Sequence, residues 1–203
     1  MNNWNGSEFW KGMFIDSLMK EVNYTSYVEL GIGAGNTWNL ISCTSKLGVD
    51  TVVQMPQVLN CTTDQFFENN NQKYDIIYID AEHSRQQVLK DFNSAYRNVN
   101  PGGIVLLHDV CPNTIHDTAP TGCGDAYVTW MNICEFVQFN NVYTISETIG
   151  GGCPGNDTLG IVIKDDSNVF LENMKSYTYE EFDRSKYIHK IKISYKDLVE
   201  KLK

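Results

Sequence analysis

The sequence predicts an α/β domain whose mostly parallel sheet is covered by helices on both faces, and three observations predict it. Two short apolar runs, Tyr74-Asp-Ile-Ile-Tyr-Ile79 and Ile104-Val-Leu-Leu107, read as buried strands, and each gives way at once to ionisable residues, Asp80 and His108-Asp109. Between the two runs, Val88, Phe92, Ala95 and Val99 recur at helical spacing. Upstream, the β-prone run Tyr27-Val-Glu-Leu30 breaks at Gly31, Gly33 and Gly35, and a stretch able to form a helix follows, Thr37 to Cys43. Strands that alternate with helices form right-handed βαβ units, and such sheets bind ligands at the carboxyl ends of their strands.

The remaining elements follow in chain order. Trp10, Phe14, Leu18 and Val22 lie four apart, which predicts an entry helix over Trp10 to Glu21. Leu47 to Val53 and Gln57 to Asn60 read as short strands, with Thr63 capping a helix from Asp64 to Glu68. Ser84 to Val99 is a helix that Pro101-Gly102-Gly103 closes off. A long loop, Val110 to Gly124, leads into an amphipathic helix over Asp125 to Phe136. Val142 to Thr148 and Leu159 to Lys164 are strands, with Gly150-Gly-Gly-Cys-Pro-Gly155 closing a hairpin between them. Trp10, Phe14, Trp130 and Phe136 are expected in the core. Tyr177 to Lys203 is expected to pack a helix on the outer sheet or to form an oligomer contact.

The chain has 203 residues, 42% hydrophobic and 20% charged, which suits one domain over 1–203 with a core over about 25–163 and an extension over 164–203. Its 16 Lys and Arg against 25 Asp and Glu, a net charge of −9, argue against a sequence-independent grip on nucleic acid, which draws its affinity from cations on phosphates. No run approaches the roughly 20 apolar residues of a bilayer span, and Met1 to Trp10 does not read as a signal peptide, so a soluble, cytoplasmic chain is expected. Six cysteines spaced at least eleven positions apart form no CxxC pair and are expected as reduced thiols.

The turn Glu29-Leu-Gly31-Ile-Gly33-Ala-Gly35 lets a ligand approach the backbone closely. Its GxGxG spacing, with an acid two residues before the first glycine, fits a cationic sulfonium bearing an amino group better than a pyrophosphate. Here the sequence resembles the class I S-adenosylmethionine-dependent methyltransferases. That resemblance implies a three-layer Rossmann-like fold with strand order 3-2-1-4-5-7-6, the last strand antiparallel. It implies S-adenosyl-L-methionine as cofactor, with Glu29, Gly31, Gly33 and Gly35 beside the methionine part. It also implies Asp50, at the end of the second strand, accepting from the ribose hydroxyls, and Asp64 near the adenine amino group.

Asp80 and Asp109 end neighbouring strands, with His83 one turn after the first and His108 beside the second. Two carboxylates buried together need a metal, a shared proton or a nearby base. The strings Ile79-Asp-Ala-Glu-His83 and Gly102-Gly-Ile-Val-Leu-Leu-His-Asp109, with Gly124-Asp125 leading into Tyr127-Val-Thr-Trp130, resemble a subgroup of these methyltransferases with DGxH-like and HD segments. The resemblance implies O-methylation of a small-molecule or glycan hydroxyl. It assigns Asp80 and Asp109 as ligands of Mg²⁺, with His83 as base and Asp80 in the reaction centre. Ala81 stands where relatives carry glycine, and His108 stands where metal-binding relatives often carry a carboxylate. With His108 among the ligands, a mixed set suits Mn²⁺ or Fe²⁺ at least as well as Mg²⁺, and metal-free acid/base work by the same residues is the alternative. The rivals are a protein that holds the cofactor without turnover and another nucleotide-using enzyme such as a dehydrogenase. His116-Asp117 is a lesser candidate for reaching the mouth.

Overall fold

The computed structural model describes residues 9–136, 139–146, 158–167 and 171–203. One seven-stranded sheet runs through it in the order β3-β2-β1-β4-β5-β7-β6. Its strands are β1 (Ser26–Leu30), β2 (Ser45–Asp50), β3 (Val58–Asn60), β4 (Tyr74–Ile79), β5 (Val99–Leu107), β6 (Val142–Ser146) and β7 (Thr158–Ile163). The first five pair in parallel; β7 runs antiparallel between β5 and β6. The expected strand order and antiparallel last strand are both present. The Gly150 to Gly155 segment, with Cys153, falls outside the described residues.

Alternation along the strands divides the core into two layers. Val28, Leu30, Ile77, Ile79, Val105 and Leu107 face one way, toward α2 (Thr63–Asn69), α3 (Arg85–Asn98) and α4 (Ala126–Glu135). Tyr27, Ile76, Tyr78, Ile104 and Leu106 face the other way, toward α1 (Trp10–Val22) and α5 (Tyr195–Leu202). Trp10, Phe14 and Trp130 are buried, whereas Phe136 is half-buried against the core. Trp130 donates its indole N–H to the Tyr187 carbonyl at 3.0 Å, which satisfies the polar end of a fully buried ring. The segment after residue 177 packs on the sheet as one of the two expectations has it. Thr144 donates its N–H to Ile191 O and accepts at its own carbonyl from Ile193 N, and Tyr195 meets Phe14 edge to face.

Three local expectations need correction. The stretch from Thr37 to Cys43 forms only a 3-10 turn, Trp38–Leu40, rather than a helix. Lys46 Nζ donates to the Trp38 and Ile41 carbonyls, both at 3.0 Å, and so satisfies the groups a longer helix would have bonded. The next residue, Ser42, is drawn off by Asp16, whose Oδ1 accepts both its N–H and its hydroxyl. The cap of α2 is Thr62, not Thr63. Thr62 Oγ1 accepts from Gln65 N at 3.1 Å and Gln65 Oε1 accepts from Thr62 N at 3.0 Å, a reciprocal box spelled by Thr-x-x-Gln. Finally, β5 begins at Val99 and passes through Pro101-Gly102-Gly103, with its register against β4 shifting between Tyr74 and Ile76.

Among the described residues, no helix is long and apolar enough to cross a membrane.

Candidate active site

The glycine turn after β1 is folded by contacts at the ends of three strands. Gly31 has φ +84°, and a Cβ there would lie 2.1 Å from the Asp80 carbonyl oxygen, so only glycine lets the turn rest on the end of β4. Gly33 also has positive φ, yet a Cβ there would meet nothing within 4 Å. Its Cα faces open space, the opposite circumstance from Gly31. Gly35, at φ +78°, sits against the Asn39 side chain.

Asp50 holds this turn in place. One carboxylate oxygen accepts from Ile32 N at 2.9 Å and Gly33 N at 3.3 Å, and the other from Val52 N at 2.8 Å and Val53 N at 2.9 Å. Against the cost of partial burial, these donors keep its pKa below the ordinary carboxylate value. Its hydrogen-bonding capacity is therefore already engaged by the backbone, and a ribose hydroxyl would have to share it.

Gly31, Gly33, Asp50, Asp64, Asp80 and Gln87 contribute to the wall of a cleft of about 440 Å³. The exposed Asp64 accepts from Gln87 and from Lys90, both at 3.1 Å, and these partners hold its pKa low. A smaller adjoining cavity of about 230 Å³ runs from Gly31 and Gly33 to Glu29, Asn36 and Asp80. Glu29 is only 2% exposed at its end. Burial pushes its pKa up to about 8, with Asp80 adding to the rise and the Tyr27 hydroxyl, which donates to it at 2.6 Å, opposing it. A buried neutral carboxyl beside a cavity is a receptor for positive charge, because a cation arriving there would convert it to the carboxylate.

Asp80, His83, His108 and Asp109 come together as the sequence predicts. One donor atom from each lies within 4.8 Å of the others. His108 Nδ1 stands 2.9 Å from Asp80 Oδ1 and 3.1 Å from Asp109 Oδ1, and His83 Nε2 stands 3.5 Å from Asp80 Oδ1. Burial disfavours the imidazolium of His108, but Asp80 and Asp109 outweigh it and push the pKa up to about 9. His83 is raised too, chiefly by the Asp80 carboxylate that faces its ring. Asp80, partly buried, is held well below the usual range by the two histidines, which outweigh the cost of its desolvation. Asp109 adopts φ +56°, an uncommon backbone state for a side-chain-bearing residue, and such strain collects at functional sites.

Sequence reasoning missed the groups that orient this cluster. Gly122 O accepts from His83 Nδ1 at 2.7 Å, so Nδ1 carries the proton and the neutral ring keeps its lone pair on Nε2. Asp125 N–H donates to the His83 carbonyl at 2.8 Å, and a Cβ on Gly124 would lie 2.6 Å from that carbonyl and 2.7 Å from His83 Cβ. The loop before α4 thus clasps His83, and Gly124 marked the place in the sequence without revealing its partner. Tyr78, fully buried, donates to Asp80 Oδ2 at 3.1 Å. The spacing of two along a strand, Tyr27 to Glu29 and Tyr78 to Asp80, was the available signal for both tyrosines. His116 is exposed, and Asp117 Oδ2 is taken by the N–H groups of Asn113 and Thr114, so neither joins the mouth. A larger cavity of about 1010 Å³ lies between α2 and the β2–β3 edge, rimmed by Asn and Gln side chains and lined by none of these groups.

The cluster passes a test for a divalent cation. Its three atoms His83 Nε2, His108 Nδ1 and Asp109 Oδ1 are buried and lack an aligned hydrogen-bond partner, though all three lie close to opposite charge. Buried polar atoms without aligned partners, gathered within 4.8 Å of one another, form a donor set chemically suited to a divalent ion.

Residues 25–110 match the model of a family described as a methyltransferase domain. No curated protein matches the chain. Among solved structures, the O-methyltransferase from Bacillus cereus in complex with SAH is similar at 16% identity and a TM-score of 0.52, over 75% of this chain and 80% of that one. The MycE methyltransferase from the mycinamycin biosynthetic pathway, in complex with Mg and SAH, aligns at 15% identity and a TM-score of 0.51, over 80% of this chain and 51% of that one. The N-methyltransferase NodS from Bradyrhizobium japonicum aligns at 13% identity and a TM-score of 0.53, over 79% and 99%. The chain therefore shares the fold of solved methyltransferases, and the stretch similar to a methyltransferase domain is the one that carries the acid of β1, the glycine turn and the whole histidine and carboxylate cluster.

Proposed function

We propose that the protein transfers a methyl group from S-adenosylmethionine to a hydroxyl oxygen of a small molecule or glycan. The observation that carries this reading is the double placement of Asp80. Its backbone carbonyl abuts Gly31 of the turn that lines the cleft, and its side chain belongs to the histidine and carboxylate cluster. A donor in the cleft would thus hold its methyl group beside this cluster, and positioning the acceptor about 3 Å from that methyl is the main catalytic task. The cationic end of the donor suits the buried Glu29, and the family similarity over residues 25–110 supports the same assignment.

The cluster favours oxygen over nitrogen as acceptor. A neutral amine already presents a lone pair, whereas a hydroxyl becomes a good nucleophile only as its proton leaves. The group placed to take that proton is His83, whose Nε2 is kept unprotonated in the neutral ring by the Gly122 carbonyl. Asp80, His108 and Asp109 are the residues that would hold a divalent ion, and a bound ion would lower the acceptor's pKa and fix its orientation.

The test starts with the donor. At about 100 times its dissociation constant, S-adenosylhomocysteine should stabilise the folded chain by about 2.7 kcal/mol, a rise of roughly 5–11 °C in melting temperature. NAD and ATP should not. Transfer of a labelled methyl group from S-adenosylmethionine to a panel of simple phenols and sugars then tests the reaction. Stabilisation by NAD or ATP but not by S-adenosylhomocysteine refutes the reading.

A further inference from the structure

We infer that the cluster is a four-ligand cation site of two imidazoles and two carboxylates, in which His83 is itself a ligand, and that it selects a first-row transition metal over Mg²⁺. The inference rests on the proposed function for what the ion is for, but not for the existence of the site.

The argument begins with distances. With donors about 2.1 Å from an ion, neighbouring donors lie about 3.0 Å apart in an octahedron and about 3.4 Å apart in a tetrahedron. The separations here are 2.9 Å for His108 Nδ1 to Asp80 Oδ1, 3.1 Å for His108 Nδ1 to Asp109 Oδ1 and 3.5 Å for His83 Nε2 to Asp80 Oδ1. These three lie within about 0.1 Å of that range, and all four donor atoms lie within 4.8 Å of one another. Asp109 is 4% exposed, and its Oδ1 is one of the three buried atoms at this point without an aligned partner, so the set includes a deeply buried ligand aimed at the centre.

His83 belongs to the set because its ring is mounted as a ligand is mounted. Ligating histidines characteristically donate the second ring N–H to a carbonyl or carboxylate, which fixes the tautomer and turns the free nitrogen to the ion. Gly122 O supplies that partner at 2.7 Å, and the clasp of Gly124 and Asp125 on the His83 backbone leaves the ring little freedom to turn away. Mg²⁺ takes oxygen donors in near-ideal octahedra and keeps several waters, whereas imidazole suits Fe, Co, Ni and Zn. Two imidazoles among four protein ligands therefore tilt the site toward the transition metals. One consequence bears on the chemistry: a lone pair given to an ion cannot also take a proton, so His83 serves as base only where the site is empty.

The experiment uses the full chain, freed of metal by chelation and dialysis, and titrated calorimetrically with Co²⁺, Zn²⁺ and Mg²⁺. Co²⁺ and Zn²⁺ should bind at least about tenfold more tightly than Mg²⁺, and bound Co²⁺ should show visible absorption of a nitrogen-ligated ion. His83→Ala should weaken Co²⁺ at least about tenfold and alter its spectrum. Pulsed electron paramagnetic resonance on the Mn²⁺-loaded wild-type chain counts coupled imidazole nitrogens without any variant, and two rings are expected. Mg²⁺ binding as tight as Co²⁺, an unchanged Co²⁺ spectrum in a folded His83→Ala chain, or coupling from fewer than two imidazoles overturns the inference. S-adenosylhomocysteine binding, measured in parallel, separates the two readings: its failure with intact metal selectivity sinks the methyl-transfer proposal and leaves the metal site standing.

Discussion

Glu29 offers a measurement of charge transfer between ligand and protein. Its carboxyl is 2% exposed and its pKa is raised from 4.5 to about 8, first by burial and then by Asp80. At pH 7 a group with that pKa is protonated in about nine molecules of ten. A ligand that brings its ammonium group to this carboxyl should return it to the ionised form, so about 0.9 proton should leave per molecule of S-adenosylhomocysteine bound at pH 7. The sign for folding runs the other way. A carboxyl whose pKa is raised on folding leaves stability intact below its ordinary value and erodes it as pH climbs, here between about 4.5 and 8, by an amount on the order of 4–5 kcal/mol at most. The ligand should therefore recover at pH 8 stability that the free protein has lost. Calorimetry in two buffers of different ionisation enthalpy counts the protons. Glu29→Gln keeps the shape and an acceptor for the Tyr27 hydroxyl while removing the charge, so proton release should fall to near zero and affinity should drop roughly ten- to a hundredfold. Tight binding with less than about 0.3 proton released, or equal release by the variant, would refute the assignment of Glu29 as the cation's partner.

Two further outcomes follow from single contacts. Asp50→Ala strips acceptors from four backbone N–H groups, so the glycine turn should loosen and S-adenosylhomocysteine binding weaken by roughly 1.5–3 kcal/mol; a dissociation constant within about threefold of wild type removes Asp50 from the donor site. Gly160 faces Trp130, where a Cβ would lie 2.5 Å from the ring, and Gly160→Val should cost about 1–3 kcal/mol in urea denaturation, with unchanged stability contradicting the close packing of β7 on α4.

The fold was legible where one physical constraint dominates. Tyr74 to Ile79 is apolar on both faces because helices cover both sides of the sheet, and the strand ends where the side chains turn ionisable, at Asp80. Position along the chain then brought Asp80, His83, His108 and Asp109 to one rim, since neighbouring parallel strands end together. Legibility failed where a distant partner decides the outcome. The helical reading of Thr37 to Cys43 was undone by Lys46 and Asp16, which compete for its backbone groups from outside the segment. Asp50 reads as a strand-end acid free to meet a ligand, yet its four donors include Ile32 and Gly33 from the preceding turn. The loop from Gly122 to Asp125 has no periodicity, and nothing local discloses that its partners are the ring and backbone of His83.

What joins the two halves of the site is the pairing of β1 with β4, the point where the sheet changes direction of growth. Asp80 N–H donates to Leu30 O at 2.8 Å and Gly31 N–H donates to Val49 O at 2.8 Å, so the turn and the first acid of the cluster are fixed to each other by ladder bonds at the strand ends. Tyr78 is registered against Glu29 across the same pair and donates to Asp80, and Tyr27 donates to Glu29. Both acids are thus steered by hydroxyls that approach from the buried layer beneath the rim, one serving the cavity beside the glycine turn and the other the histidine cluster. A slip of one residue in this register would send Tyr78 and Asp80 together to the face opposite Glu29 and part the acid of the cluster from the glycine turn. Geometry between donor and acceptor is therefore held by the same interior that stabilises the sheet, rather than by the exposed loops around the mouth.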